Sequence, residues 1–180
     1  MLDLLLKTIW LLIPAYTPNN FAVIFGGGMP IDMGKKFIDG RRILGDGKTL
    51  RGFIFGVLGG IICGVIQYYV ELPFSINLFS SLAISDAFIL ISSLSIGSLT
   101  GDVAGSFIKR RLGKERGSAL PFFDQLTFLI FAYLFAYHLS PHFTTIFTVN
   151  IIIAGLIITP VLHFLANYIA FKLGLKDVPW

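Results

Sequence analysis

Residues 52–70 read GFIFGVLGGIICGVIQYYV, a run of 19 residues without a charged side chain. A helix needs about 20 mostly apolar residues to cross the hydrocarbon core of a bilayer, so this run predicts a membrane-spanning helix. Glycine recurs in it every fourth residue, at Gly52, Gly56, Gly60 and Gly64. Small residues at this spacing let helix backbones approach closely in lipid, and we expect the run to pack tightly against a neighbouring helix.

The rest of the chain has the same apolar character. Of its 180 residues, 55% are hydrophobic and only 13% are charged, whereas soluble domains carry about 25% charged residues. Four further apolar stretches predict spans, at about 4–25, 88–108, 122–137 and 147–171. We expect the first span to be broken near Pro14 and Asn19-Asn20, and the second to stop before Pro73. The expected fold is an all-α integral membrane protein, a bundle of about five transmembrane helices in a single domain covering residues 1–180.

Basic residues indicate the orientation of this bundle. Lysine and arginine concentrate in the loops after the first and third spans and in the C-terminal tail: Lys35, Lys36, Arg41, Arg42, Lys48, Arg51, Lys109, Arg110, Arg111, Lys114, Arg116, Lys172 and Lys176. Because cytoplasmic loops carry an excess of these residues, the two basic loops and the C-terminus are predicted to be cytoplasmic. Five spans then place the N-terminus outside the cell membrane.

Three familiar kinds of site are excluded by the sequence. A single cysteine, Cys63, allows neither a disulfide framework nor a cysteine metal site. Gly47-Lys48-Thr49 resembles the end of a P-loop, but Arg42 stands where that motif requires a glycine and no strand precedes it. The three histidines do not cluster, so a metal site built from histidines is not expected.

Three polar side chains share one face at the cytoplasmic end of the third span. Asp102, Ser106 and Lys109 are spaced four and then three residues apart, so a helix brings them onto one stripe. Ionisable residues inside a span are costly and therefore indicate function. A carboxylate, a hydroxyl and an ammonium group on one stripe suit a metal ion together with a phosphate.

A second carboxylate, Asp124, lies at the start of the fourth span on the same side of the membrane. Two carboxylates at one depth, Asp102 and Asp124, can jointly bind Mg²⁺, which prefers oxygen ligands and completes its shell with water and substrate phosphates. The glycine-rich first loop adds backbone amides and two cations, Lys48 and Arg51, that suit an anion. The pattern therefore predicts a phosphate-binding site on the cytoplasmic side.

The chain resembles the CTP:phosphatidate cytidylyltransferases, whose C-terminal signature is matched by Gly101-Asp102, Ser106, Lys109-Arg110, Gly113, Pro121 and Asp124. The resemblance is closer to their archaeal relatives, the CDP-archaeol synthases, and covers about residues 14–128. That pattern is matched by Pro18-Asn19-Asn20, Gly27-Gly28, Pro30-Ile31-Asp32, Asp39-Gly40-Arg41, Gly45-Asp46-Gly47-Lys48-Thr49, Arg116-Gly117, Pro121 and Asp124-Gln125. Asp124-Gln125 stands where bacterial and eukaryotic enzymes have an Asp-Arg-x-Asp motif, so one carboxylate is missing and one or two metal ions are possible.

The resemblance implies transfer of CMP from CTP to an ether-linked isoprenoid lipid phosphate, unsaturated archaetidic acid, with Mg²⁺ as cofactor. It implies CTP and a membrane lipid as partners, and no nucleic acid. Our hypothesis assigns Mg²⁺ to Asp102 and Asp124, and the phosphates to Lys48, Lys109, Arg51 and Arg110. The remaining substrate-binding candidates are Asn19, Asn20, Asp46, Thr49, Ser106 and Gln125, beside an apolar groove for the lipid chains.

Three alternatives remain open from the sequence. A CTP-dependent polyprenol kinase would yield CDP and a lipid monophosphate in place of a CDP-lipid. A small membrane transporter is expected to have charges near the midplane and broken helices in both halves, and only the first span fits that description. A purely structural membrane subunit leaves the Gly45–Thr49 motif without a role.

Overall fold

The fold is a helical bundle, seen in a computed structural model that describes residues 2–115, 118, 120 and 122–172. Arg116, Gly117 and Pro121 of the family pattern, and the basic residue Lys176, lie outside this part of the chain. Within it, two isolated bridges are the only strand-like pairings, so the all-α prediction is confirmed. The helices are α1 (Leu2–Ile24), α2 (Leu50–Phe74), α3 (Ile84–Arg111), α4 (Phe123–Leu139), the short α5 (Phe143–Ile146) and α6 (Val149–Lys172), with a 3-10 turn at Phe79–Ser81.

Each expected span corresponds to a helix, but the ends differ. α2 begins at Leu50 because the Thr49 hydroxyl caps it, accepting a hydrogen bond from the Gly52 amide at 3.0 Å. It also continues through Pro73 to Phe74 and is capped by Ser75, which adopts a left-handed conformation with φ 51°. The expectation that this helix stops before Pro73 is therefore wrong.

The expected break in the first span is also wrong, since α1 is continuous through Pro14 and Pro18. A proline cannot donate to the carbonyl four residues earlier, so Trp10 and Pro14 each lose a helix hydrogen bond. Side chains of neighbouring helices replace the two bonds. Gln67 Nε2 donates to the Trp10 carbonyl at 2.8 Å, and Ser95 Oγ donates to the Pro14 carbonyl at 3.0 Å. The helix stays intact because α2 and α3 satisfy its freed backbone groups.

The glycine stripe of α2 packs against α1. A Cβ added at Gly56 would lie 2.7 Å from the Pro18 carbonyl oxygen, and one at Gly60 would lie 2.9 Å from that of Pro14. The stripe of α3 packs in the same way against α4, where a Cβ at Gly101 would lie 2.7 Å from the Thr127 carbonyl oxygen. These close approaches align the ends of α1, α2, α3 and α4 on one side of the bundle.

The outside of the bundle is apolar. On α2, Ile54, Leu58, Ile62 and Ile66 form a row in which each residue is 46–56% exposed. Such a row suits lipid and is unusual on a soluble monomer. Among the described residues, α2 and α3 are long and apolar enough to cross a membrane, while α4 and the apolar part of α6 (Val149–Leu165) are shorter apolar helices.

Candidate active site

A cavity of about 700 Å³ lies where the end of α1, the start of α2, the end of α3 and the start of α4 meet. Sequence reasoning named twelve candidate site residues, and this cavity brings most of them together. Those that line it are Asn19, Asn20, Asp46, Lys48, Thr49, Asp102, Ser106, Lys109, Asp124 and Gln125. The other two, Arg51 and Arg110, lie outside its lining.

Two lysine–aspartate pairs cross this cavity. Lys48, just before α2, contacts Asp102 on α3. Lys109 Nζ, near the end of α3, lies 2.8 Å from Asp124 Oδ1 in the first turn of α4. All four side chains are less than one-third exposed, so their charges interact through a medium less polar than water. Each lysine can exchange its carboxylate for a phosphate oxygen without leaving the cavity.

The predicted stripe on α3 faces the cavity. Asp102, Ser106 and Lys109 all line it, and Ser106 is 7% exposed. This placement follows from helical spacing and needs no rearrangement of the chain. It sets a carboxylate, a hydroxyl and an ammonium group in sequence along one wall.

The start of α4 supplies another part of the cavity lining. Asp124 Oδ2 accepts a hydrogen bond from the Leu120 amide at 3.0 Å, so the carboxylate is held beside the first turn. The next residue, Gln125, also lines the cavity, and its Oε1 is buried without a hydrogen-bond partner among the described residues.

The loop between α1 and α2 is organised around Asp32, which sequence reasoning assigned no role. Its carboxylate accepts hydrogen bonds from Arg42 Nη2 at 2.8 Å, the Gly45 amide at 2.9 Å and the Leu44 amide at 3.0 Å. The Arg42 side chain, together with these backbone amides, holds the pKa of Asp32 well below its usual range despite burial. Asp32 correspondingly raises the pKa of Arg42. The ionised carboxylate of Asp32 therefore stabilises the fold of the loop that carries Lys48.

Arginines dock the same loop onto the end of α3. Arg41 Nη1 donates to the Arg111 carbonyl at 2.8 Å, and Arg110 Nε donates to the Leu44 carbonyl at 3.2 Å. The Arg111 guanidinium lies 4.8 Å from the ring centre of Phe37. Arg110 therefore binds the loop in this structure, whereas the sequence pattern predicted that it binds phosphate.

Arg51, Thr49 and Asp46 also differ from simple substrate ligands. Arg51 is exposed and lies 6.0 Å from the ring centre of Phe55, away from the cavity. Thr49 lines the cavity but uses its hydroxyl as the cap of α2. Asp46 pairs with Arg42 Nη2 at 2.9 Å. Thr49 and Asp46 therefore use their polar groups to stabilise the loop and the start of α2.

Part of the cavity lining comes from residues to which the sequence pattern assigned no role. Thr159, Leu162 and His163 of α6 line it together with Tyr16 of α1. The hydroxyls of Tyr16 and Thr159 lie 2.8 Å apart and join the two helices. The α6 segment carries no charged motif. The only indication of a site in its sequence is that Thr159 and His163 interrupt an apolar run.

The two carboxylates fit a Mg²⁺ site that is completed by substrate. Within the described residues, no group of three or more His, Cys, Asp or Glu side chains is placed to hold a metal ion. Mg²⁺ in nucleotide enzymes is typically bound through one or two carboxylates plus substrate phosphates and water. Asp102 and Asp124 supply two carboxylates to the lining of one cavity, which is a number that such a site uses.

The fold and the site define a helical membrane protein with a charged cavity at one end of an apolar bundle. A profile for the CarS-like family, described as CDP-archaeol synthase, matches residues 1–180. The chain belongs to this family, as its motifs indicated.

Individual relatives agree along the whole chain. A CDP-archaeol synthase of Archaeoglobus fulgidus is 56% identical over 180 residues, with 100% of both chains covered. One from Methanocaldococcus jannaschii is 46% identical over 181 residues, with 98% of both chains covered. A solved structure of an intramembrane enzyme for archaeal membrane lipids biosynthesis is 35% identical, has a TM-score of 0.71, and aligns over 91% of this chain and 94% of its own. The predictions of a membrane protein and of a nucleotidyltransferase are confirmed, and neither the kinase nor the transporter alternative gains support.

Proposed function

We propose that the chain transfers CMP from CTP to unsaturated archaetidic acid, a lipid phosphate with ether-linked isoprenoid chains, and forms CDP-archaeol. A phosphate oxygen of the lipid attacks the α-phosphorus of CTP. The new P–O bond forms as the bond between the α-phosphorus and its bridging oxygen breaks, and pyrophosphate leaves with the electron pair. In a chain of this family, the single observation that carries the proposal is the convergence of two lysine–aspartate pairs on one cavity.

The chemistry needs positioning and charge neutralisation more than a base. The lipid phosphate is already an anionic nucleophile, so no side chain has to remove a proton from it. Lys48 and Lys109 can each move from a carboxylate to a phosphate oxygen, which offsets the charge that builds up on the leaving pyrophosphate. Asn19, Asn20 and Ser106 can donate hydrogen bonds that orient the two phosphates.

A divalent cation is expected for this enzyme class, and the charges around the cavity support one. The described lining contains two lysines and three aspartates, so the protein alone does not neutralise a triphosphate. We assign Mg²⁺ to Asp102 and Asp124. When bound, it neutralises phosphate charge and polarises the phosphorus–oxygen bonds.

The lipid substrate is proposed to enter from the side of the bundle. Part of the cavity wall is apolar, since Leu99, Val103, Phe128 and Leu162 belong to its lining. Isoprenoid chains can lie along such a wall while the phosphate reaches the lysines.

The membrane orientation completes the proposal. We infer five spans in one domain, with the basic loops, the cavity and the C-terminus in the cytoplasm and the N-terminus outside. The concentration of lysine and arginine at the cavity end of the bundle supports this sidedness. CTP then reaches the cavity from the cytoplasm, and the lipid reaches it from the membrane.

The test uses CTP labelled at two positions. Purified protein is incubated with Mg²⁺, lipid phosphate and CTP carrying ³²P at either the α- or the γ-phosphate. Cytidylyl transfer places the α-label in the lipid product and the γ-label in pyrophosphate. A lipid labelled only from the γ-position would identify a kinase and overturn the proposal, and a reaction without lipid phosphate serves as the control.

A further inference from the structure

The turn that leads to Lys48 contains a peptide unit with both of its polar groups bonded. The amide of Gly45 donates to Asp32 Oδ2 at 2.9 Å. The carbonyl of the same peptide unit, which belongs to Leu44, accepts a hydrogen bond from Arg110 Nε at 3.2 Å. One contact lies within the loop and the other comes from α3, so the position of this peptide depends on both.

Two further hydrogen bonds pass this restraint on to Lys48. The Lys48 amide donates to the Gly45 carbonyl at 3.3 Å, and the Ile31 amide donates to the Lys48 carbonyl at 2.8 Å. Arg110 also packs directly against Gly45, where an added Cβ would lie 3.5 Å from Arg110 Nε. The arginine contact is therefore separated from the backbone of Lys48 by one short turn.

The same helix binds the side chain of this lysine. Lys48 contacts Asp102, which precedes Arg110 on α3 by eight residues, or about 12 Å along the helix axis. α3 thus binds the loop at two points, through the lysine side chain and through its turn. When a phosphate oxygen replaces the Asp102 carboxylate, the contacts of the turn alone determine where the ammonium group lies.

We propose that Arg110 is a positioning residue for Lys48, which fixes the turn from which the lysine reaches the substrate phosphates. The assignment rests on the proposed function, in which Lys48 binds phosphate. The arginine acts on the reaction through the lysine and does not bind phosphate itself. This role accounts for its place outside the cavity lining although it follows Lys109, which lines the cavity.

A cycle of two substitutions separates positioning from phosphate binding. Arg110→Gln should lower the rate of CDP-lipid formation about 10- to 100-fold, the cost of misplacing a catalytic group by about 1 Å. In the Lys48→Met background it should have no further effect, because the group that it positions is gone. An equal loss in both backgrounds, or no loss in either, would overturn the assignment. Ser106→Ala in the Lys48→Met background is the check that a further loss is measurable.

A measurement without turnover follows the lysine directly. The protein is labelled with lysine that carries ¹³C at Cε, and the NMR signal of Lys48 in detergent is identified by its absence in Lys48→Met. Arg110→Gln should shift this signal, because the ammonium group changes its contact with Asp102. An unchanged signal would contradict the assignment. Since no reaction is needed, failure to form a CDP-lipid would count against the proposed function and leave this result readable.

The matched control is Arg111→Gln. Arg111 follows Arg110 on the same helix and also binds the loop, but it does so at Asp39 and at the Phe37 ring. This variant should leave the Lys48 signal in place. An equal shift in both arginine variants would show that any loosening of the loop moves the lysine, and would overturn a specific role for Arg110.

Discussion

Lys109 Nζ lies 2.8 Å from Asp124 Oδ1, so an ion pair joins the end of α3 to the first turn of α4. The Lys48–Asp102 pair joins the loop before α2 to α3 in the same way. The two pairs share α3, and both line the same cavity. Charge on three segments of the chain is therefore linked at the point where the substrates are proposed to meet.

Replacing Asp124 by asparagine should reduce CDP-lipid formation at least about 100-fold, the cost typical of losing one important electrostatic contact in a catalytic site. The neutral amide keeps the size of the side chain but binds Mg²⁺ poorly. Initial rates with α-labelled CTP give the measurement. Asp3→Asn is the control. Asp3 also pairs with a lysine, Lys7, at 3.0 Å, but it lies at the start of α1 and does not line the cavity. Full activity in Asp124→Asn would remove this residue from the metal site.

A double-mutant cycle distinguishes a structural from a catalytic role for Lys48 and Asp102. If the pair only stabilises the fold, Lys48→Met and Asp102→Asn each leave one charge unpaired, and the double variant recovers part of the loss. If each residue contacts substrate or metal, the double variant is no more active than the worse single variant. We expect the second outcome in rates of CDP-lipid formation. Melting temperatures of all three variants show how much of each effect is a loss of folding.

Asp32→Asn should destabilise the loop without removing a cavity residue. At neutral pH the change removes the buried carboxylate partner of Arg42 and leaves only the exposed Asp46 paired with it, so the melting temperature should fall. Because the folded pKa of Asp32 is lowered, its stabilisation is present above the usual carboxyl value of about 3.9 and is lost as the pH falls toward the lowered value. The gap in melting temperature between parent and variant should therefore be constant from neutral pH to about pH 5 and close below that.

The control for this change is Asp46→Asn. Asp46 binds the same arginine at 2.9 Å, but its side chain is 65% exposed. Surface pairs contribute about 0–1 kcal/mol, so the melting temperature should change little. Equal destabilisation by both substitutions would show that the loop does not depend on Asp32 more than on Asp46.

The sequence predicted what depends on local spacing. The α3 stripe of Asp102, Ser106 and Lys109 follows from helix periodicity, and the structure turns it toward one cavity as expected. The tight packing of the glycine rows also followed from the spacing. The predictions that were wrong depended on residues distant in sequence. The sequence predicts a break of α1 at its prolines, but Gln67 and Ser95 from other helices donate the missing hydrogen bonds.

Arg110 shows the same limit within the site. Its position beside Lys109 suggested phosphate binding, yet its guanidinium meets a carbonyl of Leu44, 66 residues away in sequence. Which of two neighbouring basic residues faces a cavity depends on the loop packed against them. The α6 contribution was equally hidden, since Thr159 is placed by its contact with Tyr16 and by no motif of its own.

Gly60→Ala should separate α1 from α2. The added methyl group would lie 2.6 Å from Ser95 Oγ and 2.9 Å from the Pro14 carbonyl oxygen, so backbone has to move. Overpacking of this kind costs about 1–3 kcal/mol. Gly105→Ala is the control, because its nearest new contact is 3.5 Å from Thr127 Cγ2, an ordinary distance. Thermal unfolding in detergent should show a lower midpoint for Gly60→Ala, with Gly105→Ala unchanged or slightly more stable, since alanine favours helix over glycine. A tolerated Gly60→Ala would contradict close packing of these helices.

The proposed orientation predicts which loops meet an impermeant thiol reagent. The single cysteine, Cys63, lies within α2 and is removed by Cys63→Ala. In that background, Lys36→Cys places a thiol in the loop beside the cavity, and Thr144→Cys places one on the exposed side of α5, at the opposite end of α4. The positive-inside rule predicts labelling of Lys36→Cys in inverted vesicles and of Thr144→Cys in right-side-out vesicles. The reverse pattern would place the cavity outside, where CTP does not reach it, and would contradict the proposed path of the nucleotide.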